Sequence, residues 1–125
     1  DSPSHTELKM KNNGEIRIIE LGARMGGDYI TSDLVRLSTG YDFVKGNIEL
    51  VTGHFSKPVK TVNNYSGVYF LSSQTKGKIM PYLIHSQDYP WLVQSEVVDE
   101  NPKFATNNGE RSGYLIYKSD KKIIL

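Results

Sequence analysis

Apolar and polar residues alternate in two runs near the start of the chain, His5–Met10 (HTELKM) and Glu15–Glu20 (EIRIIE), with Lys11-Asn12-Asn13-Gly14 between them. Alternation argues for strands, and Asn-Gly between two such runs is the strongest short-range hairpin signal. The period then changes. Ile30, Leu34 and Leu37 recur at helical spacing, which predicts a helix over Tyr29–Leu37, capped by Thr31, Ser32 or Asp33 and stopped by Gly40. A second helix is predicted over Asp42–Val51, with Phe43, Val44, Ile48 and Val51 on one side and Gly53 after it. A polar connector, His54–Ser66, follows. Beyond it short apolar runs predict strands at Val68–Leu71, Lys78–Met80, Leu92–Val98, Gly113–Tyr117 and Lys122–Leu125, separated by turns such as Asn107-Asn108-Gly109. This order predicts an α+β chain: an antiparallel hairpin with two helices over residues 1–56, then a small antiparallel β-rich unit over 57–125.

The hairpin brings two acids together. If Asn13-Gly14 form a two-residue loop, paired positions sum to 27, so Glu7 faces Glu20. Directly opposed side chains have Cβ atoms about 4.5–5.5 Å apart, where like charges destabilise. A four-residue loop leaves the two acids diagonal on one face, whereas a three-residue loop with a bulge can separate the faces. Taken alone, an exposed glutamate pair is ordinary in a chain with 14 acidic residues. The surroundings make it less ordinary. Arg24 follows Glu20 by one helical-turn spacing, and Gly26-Gly27 open the backbone before a predicted helix. Carboxylate oxygens suit a hard cation, a guanidinium suits phosphate or carboxylate, and a glycine turn lets backbone N–H groups approach an anion.

Composition narrows the field. The chain has 125 residues, 38% hydrophobic, with a net charge of +1, which favours neither disorder nor a nucleic-acid surface. The absence of cysteine removes disulfides, thiolate nucleophiles and cysteine-bound zinc. No apolar run approaches the ~20 residues of a membrane span. Asp1-Ser2-Pro3-Ser4 runs almost at once into the first strand, which reads as a cut inside a larger protein. His5, His54 and His85 lack metal-binding spacing; His5 is expected to pack or hydrogen-bond near Glu7, and His54 to be solvated. Tyr82, Tyr89 and Trp91 are read as closing a small core. Arg111 is either a surface arginine or reaches back toward the first half, and Asp28 is read as a helix cap ahead of a group orienting an amine.

The segment HTELKMKNNGEIRIIELGARMGGD resembles the end of an ATP-grasp domain. There a metal-binding acid on one strand is followed, after a hairpin, by E-[IVL]-[NG]-x-R at the end of the next. YITSDLVRLSTGYDFVKGNIELVTG resembles the helices that follow this motif in carboxylate–amine ligases, which include L-amino acid ligases and relatives of carnosine synthase and phosphoribosylglycinamide synthetase. NNGERSGYLIYKSD resembles the C-terminal β-rich part of the L-amino acid ligase group, where an Arg-x-Gly-Tyr turn precedes a strand. The resemblance is strong over residues 5–53 and weaker over 66–125.

Carried across, the resemblance implies that Glu7 and Glu20 ligate magnesium or manganese and that Arg24 contacts the transferred phosphate or the bound carboxylate. Gly26 and Gly27 stand at the phosphate-binding turn. Many ATP-grasp enzymes have asparagine two residues after the second acid; here that place is Gly22, which leaves the ligands of a second metal open. The implied parent is a cytoplasmic enzyme taking ATP, a small carboxylate and an amine, without nucleic-acid or membrane partners and with oligomerisation open. Its upstream nucleotide-binding parts are not in this sequence, so the chain alone is expected to be inactive. An ATP-grasp carboxylase, a purine-pathway ligase and a non-catalytic binding module are the alternatives.

Overall fold

In a computed structural model, which describes residues 2–125, the two alternating runs pair as an antiparallel hairpin of β1 (His5–Met10) and β2 (Ile16–Gly22). Its loop has three residues, not two. Lys11 N donates to Glu15 O at 2.9 Å and Gly14 N to Lys11 O at 2.9 Å, leaving Asn12, Asn13 and Gly14 to turn the chain. Gly14 closes the loop with φ +84°, a left-handed conformation in which glycine carries no Cβ penalty. Glu15 is braced there by Lys11 at 2.8 Å and Arg17 at 2.7 Å, and these two cations hold its carboxyl below its ordinary range.

The three-residue loop starts the ladder one position away from the expected register: Met10 pairs with Ile16, Lys9 with Arg17 and Leu8 with Ile18. A bulge at Ile19 then shifts the pairing, so that Glu7 meets Glu20, Thr6 meets Leu21 and His5 meets Gly22. The two irregularities cancel. Without the bulge Glu7 would face Ile19 and Glu20 would turn to the opposite side. With it, the hairpin has one charged side (His5, Glu7, Lys9, Arg17, Glu20) and one apolar side (Leu8, Met10, Ile16, Ile18, Leu21).

The first predicted helix begins with a π-helical turn, Ile30–Leu34, and continues as α1 (Val35–Thr39), ended by Gly40 at φ +79°. None of Thr31, Ser32 or Asp33 caps it: it starts ahead of them, from a left-handed Tyr29, and Thr31 instead donates back to Gly26 O at 2.8 Å. α2 (Phe43–Val51) is capped by Asp42, whose carboxylate accepts from Lys45 N at 2.9 Å.

The second half is a three-stranded antiparallel sheet of β3 (Tyr65–Phe70), β4 (Leu92–Val97) and β5 (Gly113–Ser119), in the order β3-β5-β4. Two expected strands are absent. Lys78–Met80 lies inside a helix, α3 (Lys76–Ile84), because Ile79 and Leu83 present one buried face to the sheet at helical spacing. Lys122–Leu125 is irregular; Leu125 packs on the core and Ile123 O accepts the Tyr69 hydroxyl at 2.8 Å, so the segment is held by side chains rather than by a ladder. Leu71, Ile79, Leu83 and Leu115 form the core, with Tyr82 and Trp91 against it as expected of those aromatics. β5 is buried on both faces from Gly113 to Tyr117. Leu115 faces α3, while Tyr114 faces the other way and meets Tyr29, 4.4 Å between ring centroids. Ser66 Oγ donates to Leu34 O at 2.9 Å and Asn64 Nδ2 to Leu37 O at 3.1 Å, which ties the first helix to β3.

Candidate functional site

The charged side of the hairpin carries Glu7 and Glu20 as a directly opposed pair at the end farthest from the loop. Arg24 folds back over this end: its Nη2 lies 3.1 Å from Glu20 Oε1, and its Nη1 donates to Met25 O at 3.1 Å. Both partners are half-exposed, so the contact contributes only about 0–1 kcal/mol. Gly22 makes room for it. A Cβ there would come within 3.3 Å of Arg24 Cγ, so a side chain at position 22 would crowd the arginine and make it shift slightly.

The two remaining glycines differ. A Cβ on Gly26 would lie 3.0 Å from Ile30 Cγ2 and 3.2 Å from His5 Cδ2, so this residue is small because the hairpin end and the first helix close over it. At Gly27 nothing lies within 4 Å, and the backbone stands open as an anion-binding turn requires. His5 packs here as expected, but it makes no hydrogen bond: its Nδ1 is buried without a partner. Among the described residues no group of three His, Cys, Asp or Glu side chains comes together for a metal. The acid pair therefore supplies two oxygen-bearing groups, and an ion held there would complete its six or more oxygens from phosphate and water, the usual arrangement for magnesium. The donor chemistry fits such an ion on those terms.

Asp28 does not cap a helix. Together with Tyr29 it makes a turn in which both residues have positive φ, 50° and 64°, closed by Ile30 N donating to Gly27 O at 2.9 Å. Aspartate tolerates this mirror-image turn, but a bulky tyrosine is rarely found in it. Each such residue costs about 1–3 kcal/mol, and the surrounding structure must hold it. Here the hold comes from the second half of the chain. Asp28 Oδ1 accepts from Arg111 Nη1 at 2.8 Å, and the Arg111 guanidinium sits 3.6 Å from the centroid of Phe70. Tyr29 lies against Tyr114 and Phe70. Burial, followed by the hydrogen bond with Tyr114, pushes the Tyr29 phenol up to about 12. The ion pair, the cation–π contact and the aromatic pair are worth about 1, 0.5–2 and 0.5–1.5 kcal/mol respectively, the same scale as the strain.

Arg111 thus reaches across to the first half, one of the two roles open to it in the sequence. The other partners of the corner, Phe70 and Tyr114, carried no sequence signal as site residues; their only sign was position, at the paired ends of β3 and β5. Asp28, Tyr29, Phe70, Glu96, Arg111 and Tyr114 border a cleft of about 270 Å³.

No protein-family model and no curated protein matches the sequence. Among solved structures the chain is similar to an L-amino acid ligase from Bacillus licheniformis, known from its crystal structure, with a TM-score of 0.68 and 18% identity. The match covers 96% of this chain and 31% of that one, so the chain spans less than a third of the ligase's length. The likeness is one of fold, and it supports the α+β architecture. No helix among the described residues is long and apolar enough to cross a membrane.

Proposed function

We propose that the chain is the metal- and phosphate-binding end of an ATP-dependent carboxylate–amine ligase, with the boundary to its β-rich unit near residue 56. The observation that carries this reading is the bulge at Ile19, which returns Glu20 to the side of Glu7, beside Arg24, in a chain with the fold of part of an L-amino acid ligase. In the parent a carboxylate attacks the γ-phosphate of ATP, releasing ADP and giving an acyl phosphate, and an amine then displaces phosphate from that acyl group, joining the two substrates. The setting is cytoplasmic, where ATP is supplied.

Glu7 and Glu20 would hold magnesium or manganese; when bound, that ion neutralises charge on the phosphate oxygens. The remaining tasks fall to the chain itself. Arg24, planar and permanently charged, can leave its weak exposed contact with Glu20 at little cost and grip an anion with two parallel hydrogen bonds. Gly27 offers open backbone to the same anion, while Gly26 lets the turn pack closely on His5 and Ile30. Positioning and charge neutralisation are most of what phosphoryl transfer asks of a protein.

The test uses the complete ligase that contains this chain. Glu7→Gln and Glu20→Gln keep shape but remove charge from the ion, so each should lower kcat by at least ~100-fold and raise the magnesium needed. Arg24→Lys should also be damaging, since an ammonium lacks the two-pronged grip. Parental rates and unchanged magnesium dependence in both glutamine variants would overturn the assignment.

A further inference from the structure

The Asp28-Tyr29 corner directly follows the segment assigned to phosphate, and among the described residues no hairpin side chain hydrogen-bonds to it. Its polar and aromatic partners come from the second half: Arg111, in the turn before β5, at 2.8 Å from Asp28, the Phe70 ring beneath that guanidinium, and Tyr114 against Tyr29. On the helical side it continues into a π-helical turn, a geometry that is rare and often found at functional sites. Bulky left-handed residues persist only where their surroundings over-determine them.

We propose that Arg111 is a positioning residue: clamped between Phe70 and Asp28, it locks the left-handed corner and so sets the direction in which Arg24, Gly26 and Gly27 face the phosphate. This rests on the ligase reading of that segment. The argument is geometric. The turn closed by Gly27 O and Ile30 N fixes the path of the chain on both sides of Asp28, and Thr31, donating to Gly26 O at 2.8 Å, carries the same constraint one residue further back. With Arg111 gone, the Asp28 carboxylate has no other side-chain hydrogen-bond partner among the described residues, which leaves the stacking of Tyr29 alone to oppose a return to the ordinary right-handed region. Gly26 and Gly27 would then turn with it. The clamp acts from the second half of the molecule on a segment of the first, across 83 residues of sequence.

The experiment compares Arg111→Ala, Asp28→Ala and the double variant in the complete ligase. Hydrogen exchange is read over residues 24–31 without nucleotide, and kcat and KM for ATP are read with it. Each single variant should speed exchange over this segment by at least ~10-fold while β3 and β5 keep their protection, because local opening is independent of global unfolding. The double variant should be no worse than either single one, in exchange and in kcat, because both remove the same clamp. Added guanidinium should restore protection and turnover together in Arg111→Ala and do nothing for Asp28→Ala. Unchanged exchange in Arg111→Ala overturns the clamp. Faster exchange with parental kcat and KM overturns its role in aiming the segment. Failure of the ligase reading looks different, since Glu7→Gln and Glu20→Gln then lose nothing while the exchange result stands on its own.

Discussion

Gly22, Gly26 and Gly27 follow one another closely, yet each is small for a different reason, and substitution separates them. Gly26→Ala forces a Cβ against Ile30 and His5, and overpacking of this kind costs about 1–3 kcal/mol. Gly27→Ala meets nothing and should change stability by less than ~0.5 kcal/mol, as surface substitutions do. Denaturant midpoints of the two variants check the contrast, and equal losses would show that the corner is packed differently. Tyr29 adds a pH signature. Its phenol is raised above the ordinary 10.0 to about 12, so the fold favours the neutral form. That contribution is intact below pH 10.0 and is lost as pH climbs through about 12, the window in which the corner should loosen. Ultraviolet titration should show a late tyrosine that Tyr29→Phe abolishes; Tyr117, also raised by burial, remains as the internal reference. The sequence showed Glu7, Glu20 and Arg24 plainly, because charge and spacing are written in it. It did not show why Gly22 is there, since that depends on the path of the Arg24 side chain.

At the scale of elements, the hairpin was legible and its loop was not. Asn-Gly announces a turn, but whether two or three residues make it is decided by the Lys11–Glu15 closing pair, and the error was then masked by the bulge at Ile19. The Glu7–Glu20 pairing was thus reached through a register that the structure does not have near the turn. α3 was missed because Gly77 and Pro81 bracket a short apolar run that imitates a strand. The signal for a helix was present in Ile79 and Leu83, four residues apart, and both are buried. Pro81 inside this helix removes one backbone hydrogen bond and crowds the preceding turn. Pro81→Ala should therefore raise stability by about 1–3 kcal/mol, read from the thermal or denaturant midpoint. A loss instead would mean that the pyrrolidine ring packs against a neighbour strongly enough to outweigh the restored bond.

Taken as a whole molecule, the chain has a well-filled second half and an uncovered first one. Leu8 is 57% exposed and Ile18, directly opposite it, is 67% exposed, with Met10, Ile16 and Leu21 beside them. A contiguous exposed apolar sheet face of this kind favours association in water. The isolated chain should therefore self-associate with rising concentration. Leu8→Lys with Ile18→Glu, an opposed charge pair on the same face, should return it to monomer in sedimentation. A monomeric parent chain at all concentrations would show that the face is tolerated in water. The order of the three-stranded sheet has a consequence for how the protein is made. β3 and β4 touch each other nowhere in the ladder; both pair with β5, which comes last. While the ribosome is still short of Gly113, neither earlier strand has anything to bond to, and the Arg111 clamp does not yet exist. The second half can therefore close only once β5 has emerged, and α3, too short to persist without the sheet it packs on, must wait with it, so a chain stopped before residue 113 should lack the three-stranded sheet.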